Sequence, residues 1–136
     1  MTRKENAFFR AAKAVSELSD HPNHKIGAVV VLKRRIVSSG FNTSNKTHPL
    51  QKQYNKYRFA GDGNHQCHAE LSALLPLIKS GVDLSCSSVF VYRSHKDGTL
   101  AMARPCKSCM ALIKDCGIKR VFYTTETGYA QEYLKL

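Results

Sequence analysis

Two short polar motifs each head an apolar stretch of helical spacing, and they constrain this chain more than anything else in it. Cys67-His68-Ala69-Glu70 opens a segment striped by Leu71, Leu74, Leu75 and Ile78, and Arg104-Pro105-Cys106-Lys107-Ser108-Cys109 opens another that Gly117 ends. That spacing predicts helices over His68–Ser80 and Cys106–Cys116, with Pro76 kinking the first or removing one of its backbone bonds. Between them Ser87–Tyr92 alternates and is rich in Val, Phe and Tyr, which predicts a strand. Lys119–Thr124 predicts a further strand. Strands and helices alternate through this half, which implies parallel crossovers.

The first half reads differently. Phe8, Ala12, Val15 and Leu18 predict a helix over Asn6–Leu18, ended by Asp20-His21-Pro22-Asn23. Lys25–Leu32 is a Val-rich run suited to a buried strand, and Lys33-Arg34-Arg35 turns it into a second strand over about Arg35–Asn42. Thr43–Gln66 reads as a loop of 24 residues, and loops beyond about 12–15 residues commonly carry function. Arg93–Arg104 reads as a polar loop turning at Asp97-Gly98, and Gly128–Leu136 as a weak final helix. At 136 residues the chain has the length of one domain, residues 1–136. The element order fits an α/β fold: a mixed sheet with helices on both faces.

No apolar run approaches the ~18 residues of a membrane span, and the first six residues lead into an amphipathic pattern instead of a signal core. A soluble, cytoplasmic protein is expected, with no membrane partner. Five cysteines, an odd number, fit reduced thiols and metal ligands better than a disulfide framework. The net charge is +11, and residues 1–60 hold twelve basic against three acidic side chains. Such a field favours anionic partners, a nucleotide or a polynucleotide, where it is not simply a solvated face.

A Cys-x-x-Cys pair behind a proline at a helix start presents two sulfurs on one turn, where the positive helix end lowers thiol pKa. His68 at the head of the other helix supplies a third ligand, and one His with two Cys suits a single zinc ion. Three protein ligands leave the fourth position to a water, whose pKa zinc lowers to about 7. Glu70, two residues past His68, is suited to take a proton from that water and hand it to a leaving group. The bland alternative is a structural knuckle closed by Cys67, Cys86 or Cys116, within a non-catalytic nucleic-acid-binding module; Cys86 and Cys116 are more simply read as small buried hydrophobes. In the long loop, Lys46, Lys52, Lys56 and Arg58 interleave with Tyr54 and Tyr57. That pattern suits clamping one phosphate and stacking a base, tracking single-stranded nucleic acid, or merely a solvated loop with tyrosines packed beneath it. His48 and His65 sit in the same loop, within the region that would meet a base or phosphate, while His21, His24 and His95 read as surface residues.

His68-Ala69-Glu70 followed by Pro105-Cys106-Lys107-Ser108-Cys109 resembles the zinc-dependent cytidine/deoxycytidylate deaminases, as do Gly27-Ala28-Val29-Val30 and Gly40-Phe41-Asn42. Gly117-Ile118-Lys119-Arg120-Val121 brings it nearest the deoxycytidylate branch. The resemblance implies a three-layer α/β/α sandwich whose fifth strand lies in residues 125–136 or is missing. It implies zinc on His68, Cys106 and Cys109, Glu70 as proton shuttle, Asn42 on the sugar, and the Ala69 N–H on the base carbonyl. It also implies an assembly of identical chains. Arg104 stands where many relatives carry Ser or Glu, and it joins His48, Lys46, Tyr54 and Arg58 as a candidate substrate contact. The implied reaction releases ammonia from a cytosine nucleotide, deoxycytidine monophosphate (dCMP) first, with single-stranded DNA or tRNA as the alternative substrate.

Overall fold

The computed structural model describes residues 1–44, 47–54 and 67–135. Its elements run α1 (Arg3–Ser16), β1 (Ile26–Leu32), β2 (Arg35–Phe41), α2 (Pro49–Tyr54), α3 (Ala69–Ser80), β3 (Ser88–Arg93), α4 (Lys107–Asp115), β4 (Arg120–Thr125) and β5 (Gly128–Tyr133). They build one mixed sheet of order β2-β1-β3-β4-β5. The β3–β4 pair is parallel and the other three pairs are antiparallel.

Strand side chains alternate between two faces, and both faces here are apolar. Ala28 and Val30 of β1, Val89 and Val91 of β3, and Val121 of β4 join one cluster with Leu71 and Leu74 of α3 and Leu112 and Ile113 of α4. Val29, Val31, Phe90, Tyr92 and Phe122 point the other way and meet Phe9 and Ala12 of α1. The sandwich is therefore asymmetric, with α1 on one face and α3 and α4 on the other. Two glycines set how closely the helices approach. A Cβ on Gly27 would lie 2.1 Å from the Ala12 carbonyl oxygen of α1, and one on Gly40 would lie 2.4 Å from the Ala73 nitrogen of α3.

Three expectations need correction. The stretch Gly128–Leu136 contains strand β5 and no helix: its exposure alternates residue by residue, and it pairs with β4 from Arg120↔Tyr133 to Thr125↔Gly128. The open edge of β4 supplies hydrogen-bonding partners that a local reading of the sequence does not see. The loop expected over Thr43–Gln66 contains α2, which is too short for its spacing to register, although Leu50 and Tyr54 pack against the core and Gln51 is buried. Cys86 is exposed in the turn before β3, not a buried hydrophobe, whereas Cys116 is half-buried against the core. Helix α1 also begins at Arg3, three residues ahead of the expected start at Asn6. Thr2 and Glu5 form a capping box with both bonds at 3.1 Å, which satisfies N–H groups the first turn leaves open.

The long loop after β3 is folded back against the sheet. The Thr124 hydroxyl, fully buried, accepts the Arg93 N–H and donates to the Ala101 carbonyl, and the Ala103 N–H donates to the Thr124 carbonyl. Among the described residues no helix is long and apolar enough to cross a membrane.

Candidate active site

The topology gathers the heads of α3 and α4 at one end of the sheet. Each helix returns the chain to the start of the next strand, so its N-terminus lies near the C-terminal end of β3. Antiparallel pairing brings Ile26 opposite Arg93 there. A single bridge between Thr43 and Cys67, with bonds of 2.9 and 3.2 Å, ties the end of the β2 segment to the residue before His68. That bridge is what brings Asn42 beside the α3 motif.

His68 is the N-cap of α3 and Cys106 the N-cap of α4, both in extended conformation, and Cys109 sits within the first turn of α4. The His68 Nδ1 lies 3.2 Å from the Cys109 Sγ and 3.5 Å from the Cys106 Sγ. All three ligand atoms fall within 4.8 Å of one another, the one such group among the described residues. Zinc bonds of about 2.3 Å to sulfur and 2.0–2.1 Å to nitrogen, at tetrahedral angles, place an S···N pair about 3.6 Å apart. The donor set therefore fits zinc in both chemistry and spacing. Cys67, Cys86 and Cys116 do not join the group, so none of them closes it as a fourth ligand.

The charge state of the pair points the same way. Cys106 is pulled down to about 3, first by the hydrogen bond it receives from Cys109, then by His68 and by the Ser108 hydroxyl at 3.0 Å. Cys109 donates to Cys106 and is fully buried, and both effects push its thiol well up. One sulfur is an anion at neutral pH, and the other would give up its proton to a divalent cation that took the place of that bond. Glu70 is 5% exposed, and burial raises its carboxyl above the ordinary glutamate value while His68 pulls it back. A buried carboxyl with a raised pKa beside the three-ligand group is placed to exchange protons.

His68, Glu70, Cys106, Asn42 and Arg104 line one cavity of about 230 Å³. Ala69, fully buried, follows His68 at the helix head, where backbone N–H groups lack intrahelical acceptors. Asn42 is held in place at both ends of its amide, with Oδ1 accepting the Ile26 N–H at 2.9 Å and Nδ2 donating to the His24 carbonyl at 2.6 Å. Arg104 donates twice to Glu132 of β5, at 2.6 and 3.1 Å, and Tyr123 donates to the same carboxylate at 2.8 Å. This anchors the end of the long loop at the cavity wall. A larger cavity, about 590 Å³, lies at the opposite end of the sheet, near the β1–β2 turn. It contains no metal-ligating cluster, so size does not locate the chemistry here.

Other candidates sit elsewhere. The His48 ring accepts the Leu50 N–H at 3.1 Å and so caps α2. Tyr54 donates to Asp115 and lines an apolar hollow with Leu77 and Leu112. Lys46 and Arg58 lie outside the described residues, as do Lys56, Tyr57 and His65. Four contributors escaped the sequence reading. Gln51 of α2, 2% exposed, accepts the His68 N–H at 3.0 Å and so steadies the ligand's backbone; nothing in its local sequence marks it. His21, His24 and Arg93 also line the cavity, although the two histidines read as surface residues.

Residues 2–125 match the family described as the cytidine and deoxycytidylate deaminase zinc-binding region. A deoxycytidylate deaminase of Mycobacterium phage D29 is 30% identical over 131 residues, covering 88% of this chain and 93% of that protein. Among solved structures, the dCMP deaminase of cyanophage S-TIM5 in complex with dCMP and dUMP is 23% identical, with a TM-score of 0.64 over 90% of this chain and 82% of that one. The cytidine deaminase of Burkholderia pseudomallei is 20% identical, with a TM-score of 0.67 over 98% and 93% of the two chains.

Proposed function

This chain belongs to the cytidine and deoxycytidylate deaminase family of zinc-dependent hydrolytic enzymes, and we propose that within it the substrate is a cytosine mononucleotide, dCMP first. The observation that carries this reading is the His68–Cys106–Cys109 set, two of whose members line one small cavity together with the buried Glu70 carboxyl. The similarity to a phage deoxycytidylate deaminase along most of both chains supports the choice of a monophosphate.

Bound zinc supplies Lewis-acid activation of a water for attack on the amine-bearing ring carbon. His68, Cys106 and Cys109 would hold the ion, with Ser108 donating toward the Cys106 sulfur and Gln51 fixing the His68 backbone. Glu70 takes the proton of the attacking water and delivers it to the exocyclic nitrogen. The new bond is ring carbon to oxygen, the broken bond is ring carbon to nitrogen, and ammonia leaves. The Ala69 N–H, at the positive end of α3, orients the base carbonyl. Asn42 has a second amide N–H beyond the one given to His24, and this N–H holds the sugar.

Ammonia release by the zinc-loaded protein tests the proposal, with deoxycytidine, its mono- and triphosphate, deoxyadenosine monophosphate and a cytosine-containing single-stranded oligonucleotide as substrates. Turnover of dCMP well above the rest is expected, and it should stop on chelation and return with zinc. Turnover of the oligonucleotide alone would replace this reading with a polynucleotide deaminase.

A further inference from the structure

The deamination chemistry leaves one wall of the cavity idle. Arg93, at the end of β3, donates from Nη2 to His24 Nδ1 at 2.6 Å and from Nη1 to the Met102 carbonyl at 3.3 Å. Its Nε is buried with no acceptor, the one side-chain atom in that condition among the described residues. A guanidinium has five N–H donors and no acceptor, so three remain after those two bonds. No carboxylate pairs with Arg93 among the described residues, whereas Arg104 and Arg120 each have a glutamate.

The neighbouring histidines are set by their partners. Arginine only donates, so His24 Nδ1 accepts and the ring carries its proton on Nε2. His21 Nδ1 accepts the backbone N–H groups of Asn23 and His24, at 3.2 and 3.0 Å, so its proton also sits on Nε2. The two ring centroids lie 5.2 Å apart. Burial first, then Arg93, lowers the His24 pKa, in keeping with a neutral ring held in this tautomer. Three side chains on one wall thus offer donors and no free acceptor. The acid that lines the cavity is Glu70, at the metal end. An unpaired buried donor in a native structure calls for an acceptor.

We propose that Arg93, with the Nε2–H edges of His21 and His24, binds the phosphate of the substrate and makes this chain select a nucleotide over the free nucleoside. The inference rests on the deaminase reading above, which puts the base at the Glu70–Cys106 end and leaves the anionic group to the mouth, where His24 is exposed. A charge-assisted fork to phosphate is strong and geometrically selective.

The test is binding of the product mononucleotide dUMP, of deoxyuridine and of inorganic phosphate to zinc-loaded wild type, Arg93→Gln and Arg93→Lys. Calorimetry reads the first two, and ¹⁵N-histidine NMR reads phosphate at the His21 and His24 rings. Arg93→Gln should weaken dUMP by roughly 10–100-fold, the loss expected for charge-assisted bonds, and leave deoxyuridine unchanged. Arg93→Lys, which keeps the charge without the fork, should fall between. If dUMP is unaffected, or deoxyuridine is lost equally, the clamp is refuted. If wild type fails to deaminate dCMP but phosphate still moves both histidine signals, and does so only with Arg93 present, the substrate reading fails and the anion site stands. Unmoved signals overturn the site. Should Arg93→Gln melt early, His24→Asn at the exposed rim carries the same comparison, with a smaller loss of dUMP affinity expected.

Discussion

Replacing Gly40 with alanine puts a methyl group where the backbone of α3 already lies. The new Cβ would sit 2.4 Å from the Ala73 nitrogen and 2.8 Å from the Ala69 carbonyl oxygen, while ordinary contacts begin at 3.4 Å. Helix α3 must therefore move about 1.0 Å off β2, because backbone atoms cannot rotate away as a flexible side chain can. Overpacking costs about 1–3 kcal/mol, at the upper end for backbone obstacles. The reduced freedom of the unfolded chain returns about 0.4–1 kcal/mol. A net loss of about 2 kcal/mol should lower the melting temperature by roughly 6–8 °C for a domain this size. Helix α3 also carries His68 and Glu70, and a 1 Å misplacement at a reacting centre can cost about 100-fold in rate. Gly27→Ala is the matched control. Its Cβ would meet the Ala12 carbonyl oxygen at 2.1 Å and push α1, which packs on the other face of the sheet. Thermal melts, zinc retention against a chelator, and ammonia release well below the melting point separate the two effects. Both variants should melt early, but only Gly40→Ala should lose zinc affinity and turnover. Equal loss of turnover in both, or a wild-type melting temperature for Gly40→Ala, would refute the reasoning.

Three further outcomes are expected. Glu70→Gln should retain zinc by metal analysis yet lose about 10²–10⁴-fold in turnover, the usual worth of a positioned proton carrier; near-normal ammonia release would remove Glu70 from the chemistry. Gln51→Ala removes the acceptor of the His68 N–H and should cost about 1 kcal/mol and speed zinc loss to a chelator, whereas unchanged melting and zinc release would show that Gln51 does not position the ligand. Glu132 is held below the ordinary glutamate value, first by Arg104 and then by Tyr123. A depressed carboxylate contributes stability that is present above its unfolded pKa, about 4.3, and is lost as pH falls through the folded value. The stability gap between wild type and Glu132→Gln should therefore be full at pH 6–7 and close on acidification below about 4.3; a gap independent of pH would mean the ion pair does not act through charge.

The metal-ligating group and the neighbouring carboxyl were legible in the sequence because their chemistry is local. A Cys-x-x-Cys behind a proline, and a His two residues before a Glu, declare thiolate, imidazole and carboxylate at helix heads whatever the rest of the chain does. The first four strands and the long helices were legible for a similar reason, since burial on one face or both writes a period of 2 or 3.6 into the chain. Residues acting across the fold left no such trace. Helix α2 is too short to show a period, so Gln51 could be seen beneath His68 only once the chain was folded. Strand β5 takes its hydrogen bonds from β4, and no local pattern announces an edge that another segment offers. Arg93, His21 and His24 come from a strand end and the single loop between α1 and β1, and they meet because β1 and β3 pair antiparallel. That meeting, the 230 Å³ cavity it walls and the pairing of Arg104 with Glu132 are facts of distance. A linear sequence carries composition and spacing, and the contacts between distant segments arise only when the sheet closes.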